Sequence, residues 1–452
     1  MAEPGADADR ACSDFDAARE NHVLVMTPQL LLNMLEAGAA HFHQIALLCI
    51  DECHHAKDSH PTSMILAHYR ASARTTQILG LTASPVSKAS PDATYAGLLQ
   101  LKRNLHAEYV VLDERDEELL KVVPQVQQQE VLVPVAAQDA SFARRLGGFV
   151  LGAVARLGAE LGLAGLSAEA EAAARAAETT ARLAAADGHD VAGALLLVRA
   201  CVAALALVHD VGFEAAVRHL SQEYAAVALK LVSADPSLPA GSSAPGSPSR
   251  PLTSSLLQQL AQEVEQEGMM SDAFSTEAAA LSRHPKFAAL REQLLAFRGR
   301  EAFHGIVFAR TREAVRALAK LIGAAPDLQF LEAFAFMGHG RGKAGGGDGG
   351  MTSKQQQAAM EAFRAPGRRL LVSTSAAEEG IDVPRCEVVI RFSATQSGRE
   401  RVQSAGRARK LGSRFVEIVE ATPAELALVR KARQEEQNMR AALAGLTSMR
   451  IA

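Results

Sequence analysis

Asp51 and Glu52 stand side by side at the end of an apolar run, IALLCI (45–50), and Cys53, His54 and His55 follow them. Two adjacent carboxylates at a strand end suit phosphate chemistry assisted by a divalent metal. The first holds a phosphate-bound Mg2+, often through its waters, and the second positions the water that attacks the phosphorus. The plain alternative is that the pair begins a helix, capping its first turn and complementing its dipole. The two residues alone do not separate these readings. A zinc site from Cys49, Cys53, His54 and His55 has suitable residue types, but the spacing matches no tight zinc pattern and Cys49 lies inside the apolar run.

These residues need a sheet to present them. Residues 22–125 alternate short apolar runs with helical patterns: VLVMT (23–27), IALLCID (45–51) and ILGLT (78–82) each read as a parallel strand buried on both faces, with its functional residues at the carboxyl end. Between them, PQLLLNMLEAG and HPTSMILAHYRASAR have helical spacing. From about residue 139 the chain turns rich in Ala, Leu, Glu and Arg, with one helix expected over Ser167–Gly188. A stretch at 233–255, whose Pro, Ser and Gly content cannot bury a core, is expected to be a disordered loop between helices. Strand signals return at GIVFA (305–309), RLLVST (369–374), EVVIRF (387–392) and RFVEIVE (414–420). The glycine-rich tract 338–350 reads as a loop. The predicted layout is a disordered N-terminus (1–21), a partial first α/β lobe (22–125), an all-α insert (126–284), a second α/β lobe (285–420) and a helical tail (421–452). Two such lobes suggest a cleft, a common place for a ligand.

Composition removes several classes. The 452 residues carry a net charge of only -4, so the chain is not a basic nucleic-acid coat, although Arg364–Arg414 holds eleven Lys and Arg against five Asp and Glu. Five scattered cysteines without a CxxC pair argue against a disulfide scaffold and suit a reducing compartment. With no tryptophan and four tyrosines, an aromatic base-stacking platform is not expected. The start, MAEPGADADRACSDFDAARE, is neither a secretory signal nor an Arg-rich transit peptide. The run VAGALLLVRACVAALALV (191–208) is short for a span and has Arg199 at its centre, so it reads as a buried helix rather than a membrane segment.

About thirty residues beyond Glu52 comes GLTASPVSK, from Gly80. STSAAEEGIDVP (373–384) and QSAGRARK (403–410) follow in turn. In this order the segments resemble motifs II, III, V and VI of superfamily-two nucleic-acid helicases. DECHHA, the GLTAS run, the segment MTSKQQ (351–356) and VSTSAAEEGIDVP are similar to the Dicer branch, whose relatives are the RIG-I-like duplex-RNA ATPases. The resemblance runs from about residue 22 to 445. It implies an α/β fold of two RecA-like parallel-sheet lobes, the first incomplete, with an all-α helical insert between them.

The resemblance also implies roles. Asp51 would hold Mg2+, and Glu52 would act on water in ATP hydrolysis. Thr82 and Ser84 would relay closure between nucleotide and RNA, the alternative being strand-end capping. Thr27-Pro28 would meet an RNA phosphate, the alternative being an N-cap with proline at N1. Arg310, Thr311 and Thr374 would be phosphate contacts of the second lobe, or simply surface caps. Gly380 and Asp382 would approach the nucleotide ribose. Gln403, Arg407 and Arg409 would complete the ATP site, since the planar guanidinium suits the spread charge of a transferring phosphoryl group. GRAR by itself would read as a solvated basic helix face. Ala405 stands where the family often has a third arginine.

Motif I is not found. No GxGKT or GxxxxGK[ST] segment precedes Thr27, and Gly340-Arg341-Gly342-Lys343 is followed by Ala344 where the metal-binding Ser or Thr belongs. The first strands and the phosphate loop are therefore expected to lie before residue 1, and the chain as written is expected to have little ATPase activity. Three functions follow. The first is an ATP-dependent, duplex-RNA-stimulated helicase module serving RNA interference, with double-stranded RNA as ligand and a duplex-RNA-binding protein docked at the insert. The second is a non-catalytic remnant that binds RNA or a partner. The third is a DNA helicase of the Hef type, against which DECHH and MTSKQQ argue. A cytoplasmic place is expected, with the nucleus as the alternative.

Overall fold

The computed structural model describes residues 21–72, 75–111, 118, 125–135, 137–160, 198, 200–205, 207–208, 216, 219–220, 284–338, 350–375 and 381–448. It divides into two compact units, the first made of Met1–Val122, Thr395–Gln403 and Ala427–Ala452, the second of Val123–Ala394 and Ser404–Leu426.

In unit 1, helix α1 (Pro28–Glu36) leads to strand β1 (Leu47–Ile50). Helix α2 (Pro61–Ala71), strand β2 (Gln77–Gly80) and helix α3 (Pro91–Leu105) follow. Proline opens each of the three helices, where its missing N–H costs nothing, and Thr27, His60 and Ser90 cap them by accepting a backbone N–H. The strands β1 and β2 pair in parallel, with Leu47 opposite Gln77 and Ile50 opposite Gly80. Beneath them Ile50, Cys53, Leu66, Leu101 and Leu105 form one apolar cluster, and Leu31, Leu32, Phe42, Ile65 and Tyr69 another. Gly80 has to be glycine: a Cβ there would lie 2.9 Å from Cys53 Sγ and 3.3 Å from Leu105 Cδ1.

The expected strand over 23–27 does not form. The segment has no regular structure, and Val23 and Val25 are 79% and 95% exposed. An apolar run becomes a strand only where a neighbour takes up its backbone groups, and no described strand lies beside this one.

Unit 2 is built on six parallel strands in the order β3-β8-β7-β4-β6-β5. They are β3 (Gln127–Val133), β4 (Phe303–Phe308), β5 (Glu332–Phe336), β6 (Arg368–Ser373), β7 (Val388–Arg391) and β8 (Arg414–Glu420). Alternate residues feed opposite faces, as a two-residue period requires. Phe303, Val307, Leu370, Val372, Val388, Ile390, Val416 and Ile418 share one core with helices α4 (Ala137–Glu160), α5 (Pro285–Leu295) and α6 (Arg312–Ala324). Ile306, Phe308, Leu371, Val389 and Phe415 share the other with Met360 and Phe363 of helix α7 (Ser353–Arg364). Burial on both faces is the condition under which parallel sheets occur.

The strand β3 falls in the range expected to be helical. Its sequence QQQEVLV reads as polar because it is an edge strand, and only Val133 is fully buried. Beyond β3, α4 and the described residues between 198 and 220 of the insert are helical; the expected helix Ser167–Gly188 and the stretch 233–255 lie outside the described residues. Helices α8 (Gly398–Ala405) and α9 (Pro423–Ser448) complete the chain, and the unit boundaries fall within both. No described helix is long and apolar enough to cross a membrane.

Candidate nucleotide and nucleic-acid site

The chain leaves β1 at Ile50 and turns sharply. Asp51 is exposed, and its Oδ1 accepts the Glu52 amide at 3.0 Å. Glu52 takes the left-handed conformation, φ 47° and ψ 46°, which a residue with a Cβ adopts at a cost of roughly 1–2 kcal/mol. A short 3-10 turn, Cys53–His55, follows. The turn is fastened to the neighbouring strand end, since Leu81 N donates to Ile50 O and Cys53 N to Leu81 O, both at 2.9 Å.

These backbone bonds bring two pairs of residues together. His54 is 2% exposed, and its Nδ1 lies 3.0 Å from Thr82 Oγ1 and 3.2 Å from Glu52 Oε2. The Ser84 amide donates to the same Thr82 hydroxyl oxygen at 3.2 Å, and the Ser84 hydroxyl donates to Met439 Sδ at 3.4 Å. Glu52, His54, Thr82 and Ser84 thus form one polar chain across two strand ends. Sequence reasoning supplied Glu52, Thr82 and Ser84 and missed His54, which joins them. The signal was available, in a histidine two places beyond the acid.

Burial, then the nearby Glu52 carboxylate, pushes the Cys53 thiol up to about 11. A thiol held protonated is a poor zinc ligand. Among the described residues, no three His, Cys, Asp or Glu side chains are grouped to hold a metal ion. A Mg2+ that arrives with a phosphate asks less of the protein, one or two carboxylates with the remaining positions taken by water and phosphate oxygens. The exposed hard oxygen donor of Asp51 fits that requirement.

In unit 2, Arg407 is 8% exposed and donates through Nη1 to Ile381 O at 2.8 Å. The adjacent Asp382 carbonyl accepts Arg364 Nη2 at 2.7 Å, and the Asp382 carboxylate lies 3.6 Å from the same guanidinium. The structure therefore brings Asp382 and Arg407 together through Ile381, and adds Arg364, which no motif marked. Arg409 is exposed, with Nε donating to Gly406 O at 3.1 Å. Gln403 sits half-buried on α8, on the unit 1 side of the division. Gly380 lies outside the described residues.

The expected RNA contacts are occupied locally. Thr27 Oγ1 accepts Leu30 N at 3.3 Å and Thr311 Oγ1 accepts Ala314 N at 3.1 Å, so both hydroxyls cap helices, with Pro28 at the first helical position of α1. Arg310 lies 3.4 Å from Glu425 Oε1, a carboxylate that also faces the fully buried Lys286 at 3.5 Å. A guanidinium held by a buried carboxylate has less to offer a phosphate. Thr374 follows β6, and its carbonyl accepts the Ser373 hydroxyl at 2.8 Å.

Comparison with known proteins bears on the family of the chain. The DEAD/DEAH box helicase family model matches residues 5–92, and the helicase conserved C-terminal domain model matches 285–412. Endoribonuclease Dicer homolog 1 of Arabidopsis thaliana is 27% identical over 465 residues, which is 92% of this chain and 24% of that protein. Dicer-like protein 2 of Coccidioides immitis is 27% identical over 90% of this chain and 28% of its own length. Protein Dicer of Schizosaccharomyces pombe is 32% identical over 155 residues, 34% of this chain and 11% of its own. Among solved structures, the Hef helicase domain of Pyrococcus furiosus has a TM-score of 0.47 at 21% identity, covering 92% of this chain and 80% of that one. The chain spans about a quarter of the length of the Dicer relatives that align along it. The two helicase family models matched in order and the Dicer relatives aligned over nine-tenths of the chain support a superfamily-two helicase module of the Dicer type.

Proposed function

We propose that the chain is the motor part of an ATPase stimulated by duplex RNA, in a protein acting in RNA interference. The supporting observation is the polar chain Glu52–His54–Thr82–Ser84. It ties the carboxylate suited to orienting a water to the strand-end hydroxyls that would sense RNA. A Mg2+ bound with ATP would neutralise charge on the phosphates. Asp51 would hold that ion, Glu52 would orient water with its carboxylate steadied by His54, and Arg407 and Arg409 would meet developing negative charge. Asp382 would face the ribose. RNA would be bound through its backbone, without sequence preference.

ATP hydrolysis measured with and without duplex RNA, on the parent and on Glu52→Gln, tests this reading. Any RNA-stimulated turnover should fall by roughly 10²–10⁴-fold in the variant. Turnover that survives Glu52→Gln overturns the assignment. Charge reversal at Arg407 should lower turnover far more than RNA binding, and equal losses would reassign it to RNA. A second reading rests on one sequence observation. The 452 residues contain no GxGKT or GxxxxGK[ST] segment, so on its own the chain would bind duplex RNA or a partner without turnover. Salt-dependent RNA binding in a preparation that does not hydrolyse ATP supports it.

A further inference from the structure

In unit 1, three segments far apart in sequence meet at one carboxylate, that of Glu435 on α9. Glu435 is buried, and its carboxylate accepts both the Ser87 hydroxyl and, at 2.9 Å, the amide of Gly398, the first residue of α8. Neighbouring bonds repeat the pattern. Arg399 donates its amide to Ser87 Oγ and its Nε to the Ser84 carbonyl, each at 3.3 Å. Asn438, three residues beyond Glu435, donates to the carbonyls of Lys88 at 3.3 Å and Ala89 at 2.9 Å. Arg401 of α8 pairs with Glu436 of α9 at 3.2 Å.

The two helices touch at the backbone. A Cβ on Gly398 would lie 2.8 Å from Glu436 N and 2.9 Å from Ala432 O. A carboxylate at a helix N-terminus satisfies an orphan N–H and complements the dipole. Here the same carboxylate also holds Ser87, three residues past Ser84, so a shift of α8 breaks one bond or the other.

We propose that Glu435 is a positioning residue that fixes α8, and with it Gln403, to the segment following Ser84. What Gln403 is positioned for rests on the ATPase reading; the fastening does not.

Amide hydrogen exchange on the full chain tests the fastening in the parent, Glu435→Ala, Ser87→Ala and the double variant. Glu435→Ala should speed exchange at 398–403 and 84–89 together, on the order of tenfold. Ser87→Ala should loosen 84–89 and the Arg399 amide alone, and the double variant should match Glu435→Ala at 84–89 rather than exceed it. Glu435→Gln, which keeps a carbonyl oxygen at the same reach, should restore protection to within about threefold of the parent. Unchanged exchange in both segments, or loosening spread evenly over unit 1, overturns the proposal. Should Glu435→Ala not fold, Ser87→Ala decides: local loosening supports the fastening and none refutes it. In any preparation that turns over ATP, Glu435→Ala should lower kcat with KM for ATP held. If no preparation does, the ATPase reading fails while the exchange result still stands.

Discussion

The six-stranded sheet of unit 2 and the two-stranded sheet of unit 1 are made from similar apolar runs, yet they bury them differently. In β4, β6, β7 and β8 nearly every side chain is buried, and helices cover both faces. In β1 and β2 the apolar residues split: Ile50 is buried, while Leu47 and Leu79 are 51% and 45% exposed. A continuous apolar run is therefore a promise of cover on two sides. Unit 2 shows it kept among the described residues, and unit 1 shows it half kept. The candidate chemistry divides the same way. The arginine of unit 2 is buried against a backbone carbonyl, whereas Asp51 of unit 1 stands exposed beside the left-handed Glu52.

Substitutions can break this contrast, and the largest effect belongs to the covered sheet. Phe363→Ala removes a fully buried ring between α7 and the strands and should cost about 3–5 kcal/mol in denaturant unfolding of unit 2. Gly80→Ala should cost about 1–3 kcal/mol, because the new methyl meets the buried Cys53 sulfur. Thr82→Val removes the shared partner of His54 and Ser84 and should cost about 1 kcal/mol, while raising amide exchange at Ser84. Leu79→Ser should change stability by less than about 0.5 kcal/mol. A loss above about 1.5 kcal/mol there would show that β2 is covered in solution, and the contrast between the sheets would dissolve.

The smallest effect is one of pH. Burial holds His304 below its ordinary 6.5, outweighing the nearby Glu387. The unfolded chain then takes up a proton that the folded chain resists, so stability falls as pH drops below about 6.5 and levels off beneath the folded value. Thermal unfolding from pH 7.5 to 5 should show this slope, and His304→Gln should flatten it.

Much of this was legible before any coordinates. GIVF, RLLVS, VVIR and RFVEIV are apolar on both faces, and such runs are strands with little competition. QQQEVLV was missed because an edge strand shows its partner only one edge and keeps polar residues. VLVMT failed in the opposite direction, since hydrophobicity reports what a segment would bury and not whether a neighbour is there. At the site, the acids, Thr82, Ser84, Asp382 and Arg407 were legible as residue types at family spacing. That His54 joins two of them, that Arg364 holds Asp382, and that Arg310 spends its charge on Glu425 depend on turns and distant helices that no local pattern encodes.

The left-handed backbone at Glu52 has an evolutionary consequence. Glycine or asparagine would sit there more comfortably than glutamate, so stability alone pushes this position away from the acid. On the proposed ATPase reading, selection for a water-orienting carboxylate would keep it in place. On that reading, lineages that give up hydrolysis and retain the fold should show drift first at position 52.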